Sequence, residues 1–244
     1  MRVNTFKEAR ISLYILACIL LITVVFYFFA SMFTSMGYKG YHAANENVFT
    51  ENDSTVIVID PGHGGEDPGA TDNDLVEKHL NLQVSLKLNS FLRANGYTTV
   101  LTRSEDRLLY NTGEENKKKY FDLRNRESIA NEYSNCLFVS IHMNKFPLEY
   151  CKGLQVFYSS NNENGIALAE SVQSNIIALQ TYNDRKVKCG NDSIYLLESL
   201  KMPAILVECG FISNSEEAQL LSSELYQNAL ALSLYCGIIE FMEY

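Results

Sequence analysis

Three ionisable residues stand at the ends of three apolar, strand-like segments of the chain. VIVID leads into His63, LFVSI leads into His142, and AILV leads into Glu208. In an open α/β sheet, binding sites form in the crevice beyond the carboxyl ends of the strands. We therefore expect these three side chains to meet at one edge of a sheet, where they could bind a metal ion or transfer protons.

A fourth ionisable residue comes from a predicted helix. Glu77 precedes Leu80 by three residues, so it lies on the apolar stripe of that helix and points toward the core. A carboxylate there is costly unless it meets a cation or a metal ion. Helix capping is the alternative, because Asp74 and Glu77 have the spacing of a capping box. His79 faces roughly the opposite way and is left out of the site.

Together the four residues have the chemistry of a hydrolytic zinc site. Two histidines and one carboxylate, with one position left open, form a known catalytic zinc set. A second carboxylate then takes a proton from water and delivers it to a leaving nitrogen. Each residue alone has an ordinary explanation: an anion-binding loop for GHGG, a buried imidazole for His142, an ion pair for Glu208. Their coincidence at strand ends favours amide hydrolysis.

The elements that must position these residues alternate along the chain. Short segments rich in β-branched or aromatic residues alternate with helical patterns, which predicts one α/β domain with a mostly parallel sheet. The charged segment 104–120 is predicted to be a surface loop, with a lid over the substrate as the alternative. The predicted strands are 56–60, 98–102, 137–141, 154–158 and 204–208, and the predicted helices are 75–94, 122–133, 163–180 and 215–243.

The N-terminal part of the chain has a different character. Residues 11–34 contain no charged side chain, and a helix of about 24 residues can cross a hydrocarbon layer of about 30 Å. Basic residues precede this segment, which predicts a cytoplasmic stretch 1–10, a retained transmembrane anchor and an extracytoplasmic remainder. A cleaved signal peptide is the alternative. Residues 35–54 are predicted to be a polar linker, in which His42 is solvated, before the catalytic domain 55–244.

The charge of the chain excludes one class of function, and the cysteine spacing indicates the state of the thiols. The net charge of −9 argues against nucleic-acid binding, which needs a basic surface. The six cysteines show no CxxC spacing. Cys136 and Cys236 are predicted to be buried thiols, a bridge between Cys151 and Cys189 is left open, and Cys209 is expected to face away from its neighbour Glu208.

From residue 55 onward the sequence resembles the zinc-dependent N-acetylmuramoyl-L-alanine amidases of the Amidase_3 type. The resemblance rests on IDPGHGGEDPGA, VEKHLNL, LTR, RNRESIAN, SIHMN and KMPAILVECGFISNSEEAQLL. It implies a three-layer α/β/α sandwich with a twisted sheet. It also implies one zinc ion bound by His63, Glu77 and His142, with Glu208 as the catalytic acid/base.

The same resemblance implies the substrate. It is peptidoglycan, cut at the amide that joins the lactyl group of N-acetylmuramic acid to L-alanine. Arg103, Arg126 and Asn144 also match family positions, and the two arginines are expected to hold loops and helices together rather than to act in the site.

A single catalytic domain behind a membrane segment is similar to the spore-cortex amidases, whose activity allows muramic-δ-lactam to form. Such a protein acts outside the membrane of a Gram-positive spore former. The alternatives are a vegetative autolysin of the same chemistry, a zinc peptidase acting on stem peptides, and a wall-binding module without activity. None of the four site residues is missing, which argues against the last. Any accessory protein for activation is left unknown.

Overall fold

The computed structural model describes residues 55–190 and 193–243. The predicted segments 1–10, 11–34 and 35–54 therefore lie outside the described residues. Within the described ranges, no helix has the length and apolar character needed to cross a membrane.

The centre of the fold is a six-stranded sheet with the order β4-β1-β5-β8-β6-β7. All neighbouring strands run parallel except β6, which is antiparallel to β8. A separate hairpin, β2–β3, precedes the first helix. The strands are β1 (Val56–Pro61), β2 (Thr71–Asp72), β3 (Leu75–Val76), β4 (Thr99–Leu101), β5 (Cys136–Asn144), β6 (Gln155–Tyr158), β7 (Lys188–Cys189) and β8 (Ala204–Phe211).

Helices cover both faces of this sheet. They are α1 (Glu77–Ala94), α2 (Lys118–Asn131), α3 (Asn164–Ile177), α4 (Tyr195–Ser199), α5 (Ser215–Ser222) and α6 (Glu224–Met242), and a short 3₁₀ turn, Glu115–Lys117, precedes α2. The predicted α/β class and mostly parallel sheet are confirmed.

Alternating side chains of the strands build a separate core on each face, because successive residues of a strand point to opposite sides. Ile57 and Ile59 of β1 pack in the cluster that includes residues of α1, α3 and α6. Val58 of the same strand packs in the second cluster, with residues of α2 and α4. Continuous apolar runs such as VIVID are therefore buried on both sides, as the sequence indicated.

Some predicted boundaries were wrong. The helix predicted over 215–243 is two helices, because Ser223 adopts an extended conformation (φ −80°, ψ 124°). Strand β5 continues to Asn144, so His142 lies inside the strand rather than after it. Cys136 is buried as predicted, whereas Cys236 is exposed, because it lies on the outer side of α6 together with Leu232 one turn earlier. No disulfide joins Cys151 to Cys189, which are separate thiols.

Candidate active site

Two imidazoles and one carboxylate converge at the carboxyl edge of the sheet. Potential ligand atoms of His63, Glu77 and His142 all lie within 4.8 Å of one another. Glu77 Oε1 is 3.3 Å from His63 Nε2 and 2.9 Å from His142 Nδ1. The two imidazole centroids are 4.9 Å apart. The three residues that the sequence analysis grouped therefore share one site.

His63 is held by the loop that follows β1. Its φ of 60° is a left-handed conformation that is uncommon outside glycine, so surrounding contacts must stabilise it. Arg126 Nη2 donates to the carbonyl oxygen of His63 at 2.8 Å. Asp67 Oδ2 lies 2.8 Å from His63 Nδ1 on the other side of the ring. The imidazole is thereby oriented with Nε2 toward Glu77.

Two glycines allow this loop to approach the side chains of Glu77 and His142. A Cβ atom at Gly62 would overlap the imidazole of His142. A Cβ at Gly69, whose φ is +66°, would lie 2.5 Å from Glu77 Oε2 and 2.7 Å from His63 Cδ2. Larger residues at either position would displace the side chains that form the site.

Glu77 is the first residue of α1 and is only 3% exposed. Its Oε2 accepts a hydrogen bond from the backbone N–H of Ala70 at 2.7 Å, and its Oε1 accepts one from Met143 at 3.1 Å. The alternative of a capping box with Asp74 is wrong, because the N-cap is Val76 and no side chain caps the helix. The carboxylate faces the two imidazoles instead.

The electrostatics of the cluster favour positive charge between these groups. Burial acts to raise the pKa of Glu77, but hydrogen bonds and charges from His142 and His63 hold that pKa well below its usual range. Burial acts to lower the pKa of His63, yet Glu77 and then Asp67 raise it overall. A divalent cation would satisfy the same carboxylate while leaving both imidazoles neutral. Two nitrogen ligands and one oxygen ligand, with a carboxylate behind one imidazole, suit zinc chemistry.

Glu208 lies directly beside this cluster in the sheet. It is paired with His142 in the parallel register of β5 and β8, so both side chains point to the same face. Its Oε2 is buried and has no hydrogen-bond partner among the described residues. Burial, with a smaller contribution from the charge of Glu77, raises the pKa of Glu208 to about 7. A carboxyl group with a pKa near neutrality can both accept and release a proton.

Two buried arginines support the loop from below. Arg126 forms an ion pair with Asp60 at 2.5 Å and also donates to the carbonyl of Pro61. Arg103 donates to the carbonyls of Pro61 and Gly62, both at 2.8 Å. Both guanidinium groups therefore bind backbone carbonyls of the loop that carries His63, rather than the three clustered side chains. This agrees with the expectation that they hold loops and helices together.

Other residues that were weighed lie outside the cluster. His79 is exposed and lies 3.5 Å from Asp106. Cys209 is fully buried in the core on the opposite face of β8, as expected from strand alternation. Asn144 ends β5, where its carbonyl accepts a hydrogen bond from Ile212. The segment 104–120 packs against the His63 loop, since Asp106 accepts a hydrogen bond from the N–H of Gly65 at 2.7 Å.

Comparison with known proteins decides the family. Residues 57–240 match the family model described as N-acetylmuramoyl-L-alanine amidase. The chain belongs to this family. The amidase accordingly hydrolyses the amide bond between N-acetylmuramic acid and L-alanine in peptidoglycan.

Relatives of the amidase include two proteins named for germination and sporulation. It is 34% identical over 188 residues to the germination-specific N-acetylmuramoyl-L-alanine amidase of Bacillus subtilis, covering 76% of this chain and 79% of that protein. It is 33% identical to the sporulation-specific amidase of the same species, covering 72% and 63%. The solved structure of the Clostridioides difficile CwlD amidase, in complex with the GerS lipoprotein, matches with a TM-score of 0.74 and 36% identity, covering 78% of this chain and 99% of that one.

Two acidic residues that the sequence analysis did not identify support the cluster and its loop. Asp67 lies against His63 Nδ1, and Asp60 anchors Arg126 beneath the loop. The spacing of four residues between His63 and Asp67 within one tight loop was the available signal for the first. Asp60 ends the VIVID run as a fully buried acid, and this signalled a buried cationic partner without identifying it.

Proposed function

We propose that His63, Glu77 and His142 bind one zinc ion and that Glu208 is the acid/base of the hydrolysis. The observation that supports this most directly is the buried, unpartnered Oε2 of Glu208 beside a cluster of three metal-binding side chains. Zinc, when bound there, polarises the scissile carbonyl and increases the acidity of water. The bond attacked is the amide between the lactyl group and L-alanine.

In this proposal Glu208 carries the proton through the reaction. Its pKa of about 7 leaves a substantial fraction ionised at neutral pH, so Oε2 can accept a proton from water. The protonated carboxyl group then donates that proton to the departing alanine nitrogen. Asp67 holds the imidazole of His63 in one orientation, and Glu77 is kept in place by backbone N–H donors.

The reaction and the ligand set are tested together on purified peptidoglycan. The new amine should be N-terminal L-alanine; release of D-alanine would support a stem-peptide peptidase, and no release would support a wall-binding module. Glu208→Ala should stop release while the protein still binds one zinc ion per chain. His63→Ala should lose both zinc and activity, whereas His79→Ala, a matched change of an exposed histidine, should retain both. Full zinc occupancy in His63→Ala would refute its role as a ligand.

The proposed cellular role is maturation of the spore cortex. Two relatives are described as germination-specific and sporulation-specific amidases, and these names support a cortex substrate rather than vegetative wall. We propose that residues 11–34 anchor the protein to the membrane, that 35–54 form a linker, and that 55–244 act outside the cytoplasm. Deleting the gene from its spore-forming host should remove muramic-δ-lactam from the cortex, and a normal lactam content would contradict the role.

Cell fractionation tests the proposed anchor. Membrane fractions should retain the full-length chain and release a chain that lacks residues 1–34.

A protein partner is also proposed, because the CwlD structure contains the GerS lipoprotein. Co-purification from sporulating cells tests the partner, and recovery of the full-length chain without any stoichiometric protein would contradict it.

A further inference from the structure

A half-buried arginine is held beside the site without an acidic partner. Arg185 Nε donates to the carbonyl oxygen of Lys152 at 3.0 Å, and Nη1 donates to Gln155 Oε1 at 3.0 Å. Its Cζ lies 4.7 Å from the centroid of the Phe211 ring. None of the ion pairs formed within the described residues involves Arg185. Because the guanidinium has five N–H donors, the Nη2 side of the group retains donors for a ligand.

The position of this arginine is fixed relative to Glu208. Gln155 stands directly opposite Glu208 in the antiparallel register of β6 and β8. Residues opposite each other in such a pair project to the same face, with Cβ atoms about 5 Å apart. His142 occupies the corresponding place on the other side of Glu208. Three neighbouring strands thus place a row of side chains at this edge of the sheet, in the order His142, Glu208 and Gln155. The guanidinium of Arg185 lies next in the row, because it is hydrogen-bonded to Gln155.

The surroundings of Arg185 suit an anionic ligand. Residues 185–188 read RKVK, a concentration of positive charge in a chain whose net charge is −9. Lys186 and Lys188 are exposed. The guanidinium is held by two hydrogen bonds and an aromatic ring, so little additional ordering is needed when it binds. A planar guanidinium pairs with a carboxylate through two parallel hydrogen bonds, which favours a carboxylate ligand.

We infer that Arg185, positioned by Gln155, binds a carboxylate of the stem peptide next to the amide on which Glu208 acts. The inference rests on the proposed function, since it places the scissile bond at Glu208. Stem peptides carry one carboxylate on the residue after L-alanine and others farther along the peptide. A residue of extended chain spans about 3.5 Å. With the scissile amide at Glu208, the carboxylate on the residue after L-alanine is therefore the one close enough to reach the guanidinium of Arg185.

The test compares two muramoyl-peptide substrates that differ in one group. One has D-glutamate after L-alanine, with a free α-carboxylate, and the other has the corresponding carboxamide. The zinc-loaded full-length chain should favour the carboxylate by roughly two- to fivefold in kcat/KM at low salt, the range for a partly exposed charge pair. Arg185→Gln should abolish this preference. Lys201→Gln, which removes the same charge from an exposed residue outside the 185–188 segment, should retain it.

Three outcomes would overturn the assignment. The wild-type chain could show no preference, or Arg185→Gln could lower both rates equally, as a purely structural residue would. Alternatively, the wild-type chain could discriminate only at the end of the peptide, preferring a longer stem peptide with a free terminal carboxylate over the same peptide with a terminal amide. Urea unfolding of Arg185→Gln checks its fold. Arg185→Lys, which keeps the charge but not the planar fork, should show a reduced but measurable preference.

Binding of the free dipeptides separates this inference from the proposed function. Calorimetry should show that the wild-type chain binds the L-alanyl-D-glutamate dipeptide more tightly than its carboxamide, and that Arg185→Gln binds both equally. Failure of the proposed function would appear as the absence of new N-terminal L-alanine from either substrate. The dipeptide result does not depend on hydrolysis, and equal binding by the wild-type chain would refute the role of Arg185 on its own.

Discussion

The ionised side chain of Glu208 should lower the free energy of unfolding of the metal-free protein, and the Glu208→Gln variant tests this. Burial raises the pKa of Glu208 from an ordinary value of 4.5 to about 7. At about 1.4 kcal/mol for each pKa unit, ionising this group in the folded, metal-free protein costs about 3 kcal/mol relative to the unfolded chain. The figure is an upper value, because Glu208 is half-buried as a residue even though its Oε2 is shielded.

The sign of the effect follows from the two protonation states. Below pH 4.5 the carboxyl is protonated in both the folded and unfolded chain, so Glu208→Gln should change the free energy of unfolding little. As the pH rises toward 7 the unfolded chain loses this proton first, and the wild type loses stability relative to the variant. Above pH 7 the difference should reach its plateau, with Glu208→Gln the more stable protein.

Urea unfolding of the chelator-treated wild type and variant at pH 5, 6, 7 and 8 measures this difference. Glu198→Gln, an exposed glutamate changed in the same way, should differ from wild type by no more than about 0.5 kcal/mol at every pH. The variant should also be inactive on peptidoglycan. Equal stability of Glu208→Gln and wild type at pH 8, or a difference that does not change with pH, would refute the argument that burial sets the pKa of Glu208.

Two further substitutions distinguish residues that stabilise the His63 loop from residues that contribute to the proposed zinc affinity. Asp60→Asn should destabilise the protein by about 3–5 kcal/mol, because it leaves the buried guanidinium of Arg126 with Asp122 as its remaining acidic partner; an unfolding midpoint close to wild type would contradict this. Asp67→Asn should reduce zinc affinity by about 10- to 100-fold with little change in the stability of the metal-free chain, because it removes the carboxylate behind His63 Nδ1. A competition titration with a chelator measures that affinity, and unchanged affinity would show that Asp67 does not orient the ligand.

The sequence was most informative where local pattern and burial coincide. The runs before His63, His142 and Glu208 are apolar on both faces, so both their strand character and their place at the sheet edge followed from composition. Glu77 could be placed because it continues the apolar stripe of α1. These arguments use only neighbours in the chain, and the structure brings the residues together accordingly.

Other features depend on contacts between distant segments. Strand β7 has two residues, and its pairing with β6 leaves no periodic signal in the sequence. The left-handed conformations of Asn73 and Asp74 form the turn of the β2–β3 hairpin, and that turn competes with the capping box suggested by their spacing to Glu77. Arg185 lies 30 residues after Gln155, so their hydrogen bond is visible only in three dimensions.

The least favourable local features of this amidase lie at its site. His63 adopts a left-handed backbone conformation, Glu77 is a buried carboxylate, and Glu208 has a buried oxygen without a partner. Each would cost about 1–3 kcal/mol if nothing compensated for it. Arg103 and Arg126 compensate for the first by donating to the backbone carbonyls on which the loop rests. The cost at Glu208 is not compensated within the described residues, and an oxygen left without a fixed partner suits the role proposed for it, in which it gains and loses a proton during each reaction.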